Sequence, residues 1–254
     1  MRPPTRHLRG FAPWIVPLLI LLAWEASSRL GWLSVRILPE PLAVATAFWN
    51  LLVSGSLVHD VAISTGRALG GLAIGGGLGL VLGLLTGTFR TAETLLDTTL
   101  QMIRNVPALA LIPLVILWFG IDESAKLFLV AIGVFFPIYL NTYHGIRAVD
   151  AGLVEMARSY GLKGWPLYRE VILPGALPNI FTGLRLGAGM ALILVFITEI
   201  EATKAGLGFL LWEAFQLLET KDVFAGVVTF GLLGVATTWL LQWVERAACP
   251  WARR

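Results

Sequence analysis

Long apolar runs separated by short polar connections constrain the fold of this chain more than any other feature. A hydrophobic stretch of about 20 residues is long enough to cross a bilayer as a helix. Charged residues make up 14% of the sequence, against about 25% in an ordinary soluble domain. The runs lack the period-two alternation that is typical of a membrane β-barrel. The sequence therefore predicts an all-α polytopic membrane protein, with a single transmembrane domain over residues 1–254.

The pattern predicts about six transmembrane helices. Residues 42–53 form a shorter amphipathic helix at best, which we expect at the outer surface. The first predicted span could instead be a cleavable signal peptide, because Ala26-Ser27-Ser28 resembles a cleavage site. We favour a retained span, since cleavage would leave an odd number of spans. The predicted spans are residues 11–30, 63–88, 100–119, 126–143, 179–198 and 223–244.

The second predicted span carries a glycine at every fourth position. Residues four apart share one helix face, and small residues there let another helix approach closely. A glycine-rich, flexible helix is the alternative, but five glycines in register favour close packing. The stripe predicts tight packing and no particular function. Its members are Gly71, Gly75, Gly79, Gly83 and Gly87.

Two arginines lie in or near predicted spans. Arg104 precedes Pro107 and Pro113, which predict a kinked or broken third span, as in proteins that flex or line a cavity. Arg185 lies within the fifth span. Each arginine could anchor its helix at the membrane interface or face the interior of the protein. Because an anion crossing a low-dielectric pathway needs positive groups, both are candidate pathway residues.

The distribution of lysine and arginine predicts the orientation. These residues accumulate in the short connections on the cytoplasmic side of a membrane protein. The two termini, the connection near Arg90 and residues 147–169 together carry more of them than the opposite connections do. We therefore expect both termini and residues 150–174 to be cytoplasmic.

Residues 150–174 (DAGLVEMARSYGLKGWPLYREVILP) form the longest polar interruption in the second half of the chain. Their pattern predicts a short helix with Asp150 as its N-cap and Gly161 as its left-handed end. Pro166 can open a second short helix. Pro174 and Pro178 are then expected to break the chain before the fifth span. An ordered amphipathic element outside the bilayer predicts a docking partner.

The same stretch resembles a known cytoplasmic motif. In permeases of ABC importers the motif consists of E-A-A, three residues, G, nine residues and I-x-L-P. Here Glu155-Met156-Ala157, Gly161 and Val171-Ile172-Leu173-Pro174 keep that spacing, with Met156 in place of the first alanine and Val171 in place of the isoleucine. The resemblance implies that this is the coupling helix, which sits in a groove of an ATP-hydrolysing subunit. The residues implied in coupling are Leu153, Glu155, Met156, Ala157, Arg158, Gly161, Leu173 and Pro174.

The flanking segments extend the resemblance. Residues 96–126 and 136–162 are similar to the permeases of aliphatic sulfonate importers, whose relatives handle taurine, nitrate and bicarbonate. The similarity is strongest over residues 32–186 and looser after residue 195, although Glu199 and Gly206-Leu207-Gly208 still fit the wider family. Aliphatic sulfonates are therefore the expected cargo, with taurine, nitrate or another small anion as the alternative.

The resemblance also implies partners. The chain lacks a P-loop lysine motif, so we expect ATP and Mg²⁺ on a partner ATPase and no cofactor on this chain. Two permease copies would form the pathway, and an extracytoplasmic binding protein would deliver substrate. The expected location is the bacterial cytoplasmic (inner) membrane. A net charge of +3 with scattered basic residues gives no indication of nucleic-acid binding.

Other classes of function fit the sequence less well. A single cysteine and three distant histidines argue against a metal site. An intramembrane enzyme needs a nucleophile and a base together, but Ser64 lies five residues from His59, off the helical i+4 position. Ser124 has no histidine nearby, and His144 lies beside a cytoplasmic boundary. A transporter driven by an ion gradient would leave the cytoplasmic element without a partner. We therefore expect a transport subunit and not an enzyme.

Overall fold

The computed structural model describes residues 8–32, 34 and 36–252, and all regular structure in these residues is helical. Short 3₁₀ turns lie at Ala108–Leu111 and Pro250–Ala252. The predicted cytoplasmic residues 1–7, 253 and 254 lie outside the described part. The helices are α1 (Leu8–Arg29), α2 (Pro41–Val53), α3 (Ser56–Thr88), α4 (Arg90–Arg104), α5 (Ile112–Phe119), α6 (Glu123–Arg147), α7 (Ala151–Ser159), α8 (Gly164–Leu167), α9 (Leu173–Ala202), α10 (Leu207–Gln216) and α11 (Thr220–Ala248).

Several of these helices have the length and composition of membrane spans. Within the described residues, Ser56–Thr88, Glu123–Arg147, Gly164–Glu201 and Thr220–Ala248 qualify individually. A fifth candidate is the pair Arg90–Arg104 and Ala108–Phe119, which is bent by 80° at the break. This bend confirms the prediction of a broken third span, and Pro107 lies at the break. The prediction of an all-α polytopic membrane protein is confirmed.

The described chain divides into two compact units. The first comprises Met1–His59 and Leu210–Thr229, and the second comprises Asp60–Phe209 and Phe230–Arg254. In the first unit, Val44 and Ala47 of α2 are buried with Ala225. The rings of Trp24 and Phe224 lie 5.7 Å apart beside this cluster. Trp24 also donates its indole N–H to the carbonyl of Pro39 at 2.9 Å.

The second unit is built around α6, which lies against α3 and α9. The glycine stripe of α3 faces α6: a Cβ atom at Gly75 would lie 2.0 Å from the carbonyl oxygen of Ala131. At Gly79 it would lie 2.6 Å from the carbonyl oxygen of Phe135, and at Gly83 2.8 Å from that of Tyr139. The backbones of α3 and α6 are therefore too close for any side chain at these positions, as the packing interpretation requires.

Helix α9 packs on another face of α6 with a similarly close approach. A Cβ atom at Gly145 of α6 would lie 2.8 Å from Cβ of Asn179, and one at Gly183 of α9 would lie 3.2 Å from the Cα of Ile138. A buried apolar cluster joins all three helices, with Ala68 from α3, Val134 from α6 and Val195 from α9 among its members. Close-packed interiors transmit displacement rather than absorb it. We therefore treat α3, α6 and α9 as one rigid group.

The predicted chain break before the fifth span is wrong. A π-helical turn, Tyr168–Ile172, joins α8 directly to α9, so the helix runs from residue 164 to residue 201. Pro174 lies directly after the π turn, inside this continuous helix, so its missing N–H removes a backbone bond without ending the helix. Pro178 lies inside the helix, and the wider π turn before it changes the local bonding pattern. Helix α8 also begins at Gly164, two residues before Pro166.

Candidate functional site

Helix α7 is capped at both ends by the residues that the sequence indicated. The Asp150 carboxylate accepts a 3.0 Å hydrogen bond from the Leu153 N–H. Gly161 has φ +89°, and its N–H donates to the Arg158 carbonyl at 3.0 Å, while the Leu162 N–H donates to the Ala157 carbonyl at 3.1 Å. This pair of bonds is a Schellman motif, which requires the left-handed conformation that glycine adopts most easily. Both cap predictions are confirmed.

The side chains of α7 separate into an inner and an outer set. Ala157 is buried within the chain, so it is not available to a partner. Leu153, Met156 and Tyr160 are exposed apolar residues, and Tyr160 keeps 83% of its accessible surface. Glu155 is also exposed. Helix α7 therefore presents an apolar surface with charged neighbours outward, while one alanine holds it to the rest of the molecule.

The remaining residues of the motif lie at the base of α7. Ile172, Leu173 and Val149 each pack against the buried cluster formed by Ile146, Ala176 and Ile180. Pro174 is half-buried at the same junction. The motif therefore spans an outward-facing helix and the packed junction from which it projects.

The structure places the two candidate pathway arginines differently. Arg104 is the last residue of α4 and is exposed. Arg185 is half-buried and donates from Nη1 to the Glu245 carboxylate at 2.7 Å. Its charge is therefore already balanced by α11. The two arginines are not brought together by the structure.

At the opposite end of the rigid group the structure reveals a buried ion-pair network that the sequence analysis missed. The Arg67 guanidinium of α3 donates to the Glu199 carboxylate of α9 at 2.7 Å. It also donates to both oxygens of Glu123 on α6, at 2.8 and 2.6 Å. Lys126 donates to Glu123 at 2.9 Å. Glu199 is fully buried and Arg67 is 7% exposed.

The network also fixes the loop that follows α9. Glu199 accepts the Gly208 N–H at 2.8 Å, and Arg67 donates to the Ala205 carbonyl at 2.8 Å. Ser64 lies 2.8 Å from both oxygens of Glu199 and accepts the Leu207 N–H at 2.9 Å. Several donors around one carboxylate satisfy its lone pairs, which a buried charge requires. Ser64, considered above as a nucleophile, is thus part of this structural network.

An open cavity of about 540 Å³ adjoins the network and is lined by Arg67, Glu123, Lys126 and Lys204. Arg67 and Lys126 are both bonded to carboxylates, so the cavity offers little unbalanced positive charge. The signal for this network in the sequence was weak. Arg67 lies inside an apolar segment and Glu123 lies at the start of another. The two glutamate partners of Arg67, Glu123 and Glu199, are 56 and 132 positions away from it in the sequence.

Comparison with known proteins places the chain in a family. The family model described as "Binding-protein-dependent transport system inner membrane component" matches residues 76–248. A protein of Escherichia coli strain K12, provisionally named aliphatic sulfonates transport permease protein SsuC, is 53% identical over 98% of this chain and 95% of its own length. Its namesake in Bacillus subtilis strain 168 is 41% identical over 98% of this chain and 91% of its own length.

A solved structure, described as an amino acid ABC transporter with histidines, shares the fold with a TM-score of 0.62 and 20% identity. The matched region covers 79% of this chain and 98% of the solved chain. The capped helix α7 and the apolar helices are consistent with the family that the match over most of the sequence shows. This chain belongs to the family of inner membrane components of binding-protein-dependent transport systems.

Proposed function

We propose that this chain is the permease of an ATP-driven importer of aliphatic sulfonates in the bacterial inner membrane. The assignment of aliphatic sulfonates as the cargo rests on the 53% identity, over nearly the whole of both chains, to the sulfonate-named relative of Escherichia coli. The 41% identical relative in Bacillus subtilis has the same name. Two relatives with one name at this coverage favour sulfonates over taurine, nitrate or another small anion.

Helix α7 is the proposed contact with the ATPase. Leu153 and Met156 supply apolar surface to the groove of that subunit, and Glu155 and Arg158 supply polar contacts at its edges. All four are exposed to a partner, and their helix is ordered by its own caps. ATP and Mg²⁺ bind the ATPase, and this chain contributes no catalytic group.

The continuous helix 164–201 gives this contact a direct mechanical route. A helix without a break passes displacement along its length, and this one joins the turn after α7 to the buried network at Glu199. Closure of the ATPases on nucleotide would therefore move α9, and with it the α3 and α6 helices packed beside it. Rigid-body motion of packed helices is one established form of alternating access.

We propose that two copies of this chain form the pathway, with an extracytoplasmic binding protein delivering substrate. The distribution of lysine and arginine supports cytoplasmic termini and a cytoplasmic α7. Arg104 is exposed at the break of the bent pair and remains the candidate for contacting an anion. Arg185 is the weaker candidate, since Glu245 neutralises it.

Uptake by a strain that expresses the permease with its ATPase and binding protein tests the proposal. Labelled alkanesulfonate, taurine and nitrate are supplied separately and then in competition. We expect ATP-dependent uptake of the alkanesulfonate, with weak competition from the other two. Preferred uptake of taurine or nitrate would reassign the cargo. Uptake that persists without the ATPase would overturn the coupling as well.

A further inference from the structure

A second ionic cluster lies near the α7 end of the rigid group and joins α6 to α4. The Tyr143 hydroxyl of α6 donates to one carboxylate oxygen of Glu93 at 2.5 Å. The Arg147 guanidinium, one turn further along α6, forms an ion pair with the other oxygen. Glu93 therefore receives two donors from one helix, one on each of its oxygens. The motif that marks α7 does not include any of these three residues.

Several ring contacts fix the position of Tyr143, so its bond to Glu93 is more than an isolated pair of surface residues. The Tyr143 ring stacks on Tyr139 at 6.3 Å and meets His144 edge-on at 5.1 Å. The Arg147 guanidinium carbon lies 5.6 Å from the centre of the Tyr143 ring, within the range of a cation–π contact. The tyrosine is thus held in place by α6 and presents its hydroxyl to α4.

Helix α4 has little buried surface of its own. No residue of α4 is fully buried, and Ala92, Leu96 and Leu100 are only half-buried, so apolar packing holds this helix weakly. Its partner in the bent pair is held differently, because Val115 of α5 is fully buried against Leu129 of α6. The bent pair is therefore attached to α6 by packing beyond its break and by Glu93 near its start.

The position of Arg147 connects this attachment to α7. Arg147 is the last residue of α6, and α7 begins at Ala151. Between them lies Val149, which packs against the same buried cluster of Ile146, Ala176 and Ile180 as do Ile172 and Leu173. A displacement of α7 must therefore move the end of α6 that carries Arg147 and Tyr143.

From these contacts we propose that Glu93, Tyr143 and Arg147 form a tether that makes the bent pair follow the motion of α7. The three are positioning residues. They bind neither substrate nor nucleotide, and they act through α4 on the break near Pro107. The tether rests on the proposed function, since it assumes that an ATPase moves α7. Without the tether, α4 would stay joined to the rigid group only at its two ends, through Phe89 and through α5, and its angle to α6 would be free to change.

The test is the number of substrate molecules transported per ATP hydrolysed, measured with the complete complex in proteoliposomes. Glu93→Gln keeps the shape of the side chain but removes the charge that attracts Arg147. We expect the ratio to fall by at least about fivefold, the lower end of typical couplings between sites. Basal ATPase activity and assembly with the ATPase should stay unchanged, because no residue of α7 or of its caps is altered.

Asp97→Asn is the matched control. Asp97 is a carboxylate one turn along the same helix, and it accepts a bond from Gln101 of that helix. We expect its transport ratio to equal that of the unchanged protein. The exchange Glu93→Arg with Arg147→Glu should restore part of the ratio that either single change loses. A ratio unchanged by Glu93→Gln, or lowered equally by Asp97→Asn, would overturn the tether.

A second readout does not depend on the cargo. Spin labels at positions 95 on α4 and 165 on α8, both exposed, report how these helices move when nucleotide is added to the complex, in a Cys249→Ser background. In the complex with unchanged Glu93, we expect one narrow distribution of the distance between the two labels. In the Glu93→Gln complex we expect a broader distribution of the same distance. Equal widths would overturn the tether. Failure of the proposed function is distinct, because the unchanged complex would then show no ATP-dependent alkanesulfonate uptake.

Discussion

The two ends of the rigid group both carry an arginine bound to glutamate, yet the two pairs differ in their surroundings. Arg67 and Glu199 are withdrawn from solvent and bonded to three helices and a loop. Arg147 and Glu93 keep 39% and 27% of their side-chain surface exposed. Breaking a buried pair leaves an uncompensated charge, whereas breaking an exposed pair lets water replace the partner. The buried pair therefore stabilises the fold, whereas the more exposed pair can change its contacts when the helices move.

The largest effect is expected at the buried end. Arg67→Met leaves Glu199 buried without its cation, which typically costs about 3–5 kcal/mol. The free energy of unfolding, followed by thermal denaturation in detergent, should fall by that amount. Arg90→Met, at an exposed arginine, should have little effect. Because the double variant with Glu199→Met removes the orphaned charge, it should recover part of the loss, and no recovery would show that the pair is not the cause.

Next in size is the glycine stripe, which sets how closely α3 and α6 approach. Gly75→Ala places a methyl group 2.0 Å from the Ala131 carbonyl oxygen, so the two helices must separate. Overpacking of this kind costs about 1–3 kcal/mol. Gly77→Ala is the matched control, since a Cβ atom there meets nothing within 4 Å. Equal stability of the two variants would mean that α3 and α6 are not rigidly packed.

A smaller change in stability, with a large change in coupling, is expected at Gly161. A β-branched residue at φ +89° is strained by roughly 1–2 kcal/mol. Gly161→Val should therefore distort the end of α7 and lower substrate-stimulated ATPase activity in the assembled complex. Gly161→Asn should retain more activity, because asparagine tolerates the left-handed conformation. Normal substrate-stimulated ATPase activity in a normally assembled valine variant would contradict the hypothesis that this turn transmits motion.

The smallest change in stability is expected at the exposed end. Glu93→Gln should shift the midpoint of thermal unfolding by less than about 2 °C, since exposed ion pairs contribute little. The same variant is expected to lose coupling, so the two measurements together separate motion from folding. A shift as large as that of Arg67→Met would erase the distinction between the two ends.

Features encoded over short stretches were the most predictable from the sequence. Asp150 and Gly161 cap α7 because both act on neighbouring backbone groups, and the glycine stripe follows from helical periodicity alone. The partners of Arg67 could not be found in this way. Glu123 and Glu199 are distant in sequence and meet it only once three helices have packed.

The expected break at Pro174 failed for a different physical reason. Proline was treated as a helix breaker, but a proline inside a helix can bend it without ending it. The π-helical turn before it then joined two elements that the sequence analysis had separated. A sequence pattern gives no direct sign of this π turn, because five residues are too few to establish a periodicity of their own.

The uninterrupted helix 164–201 also has a consequence for where ATP is hydrolysed. At 1.5 Å per residue, its 38 residues extend about 57 Å. A bilayer with its headgroups is about 40–45 Å thick. At least about 12 Å of helix would then lie outside the bilayer if the helix crosses upright. If that excess lies on the α7 side, an ATPase docked on α7 would work about that far from the lipid headgroups, with room for water and ions between them.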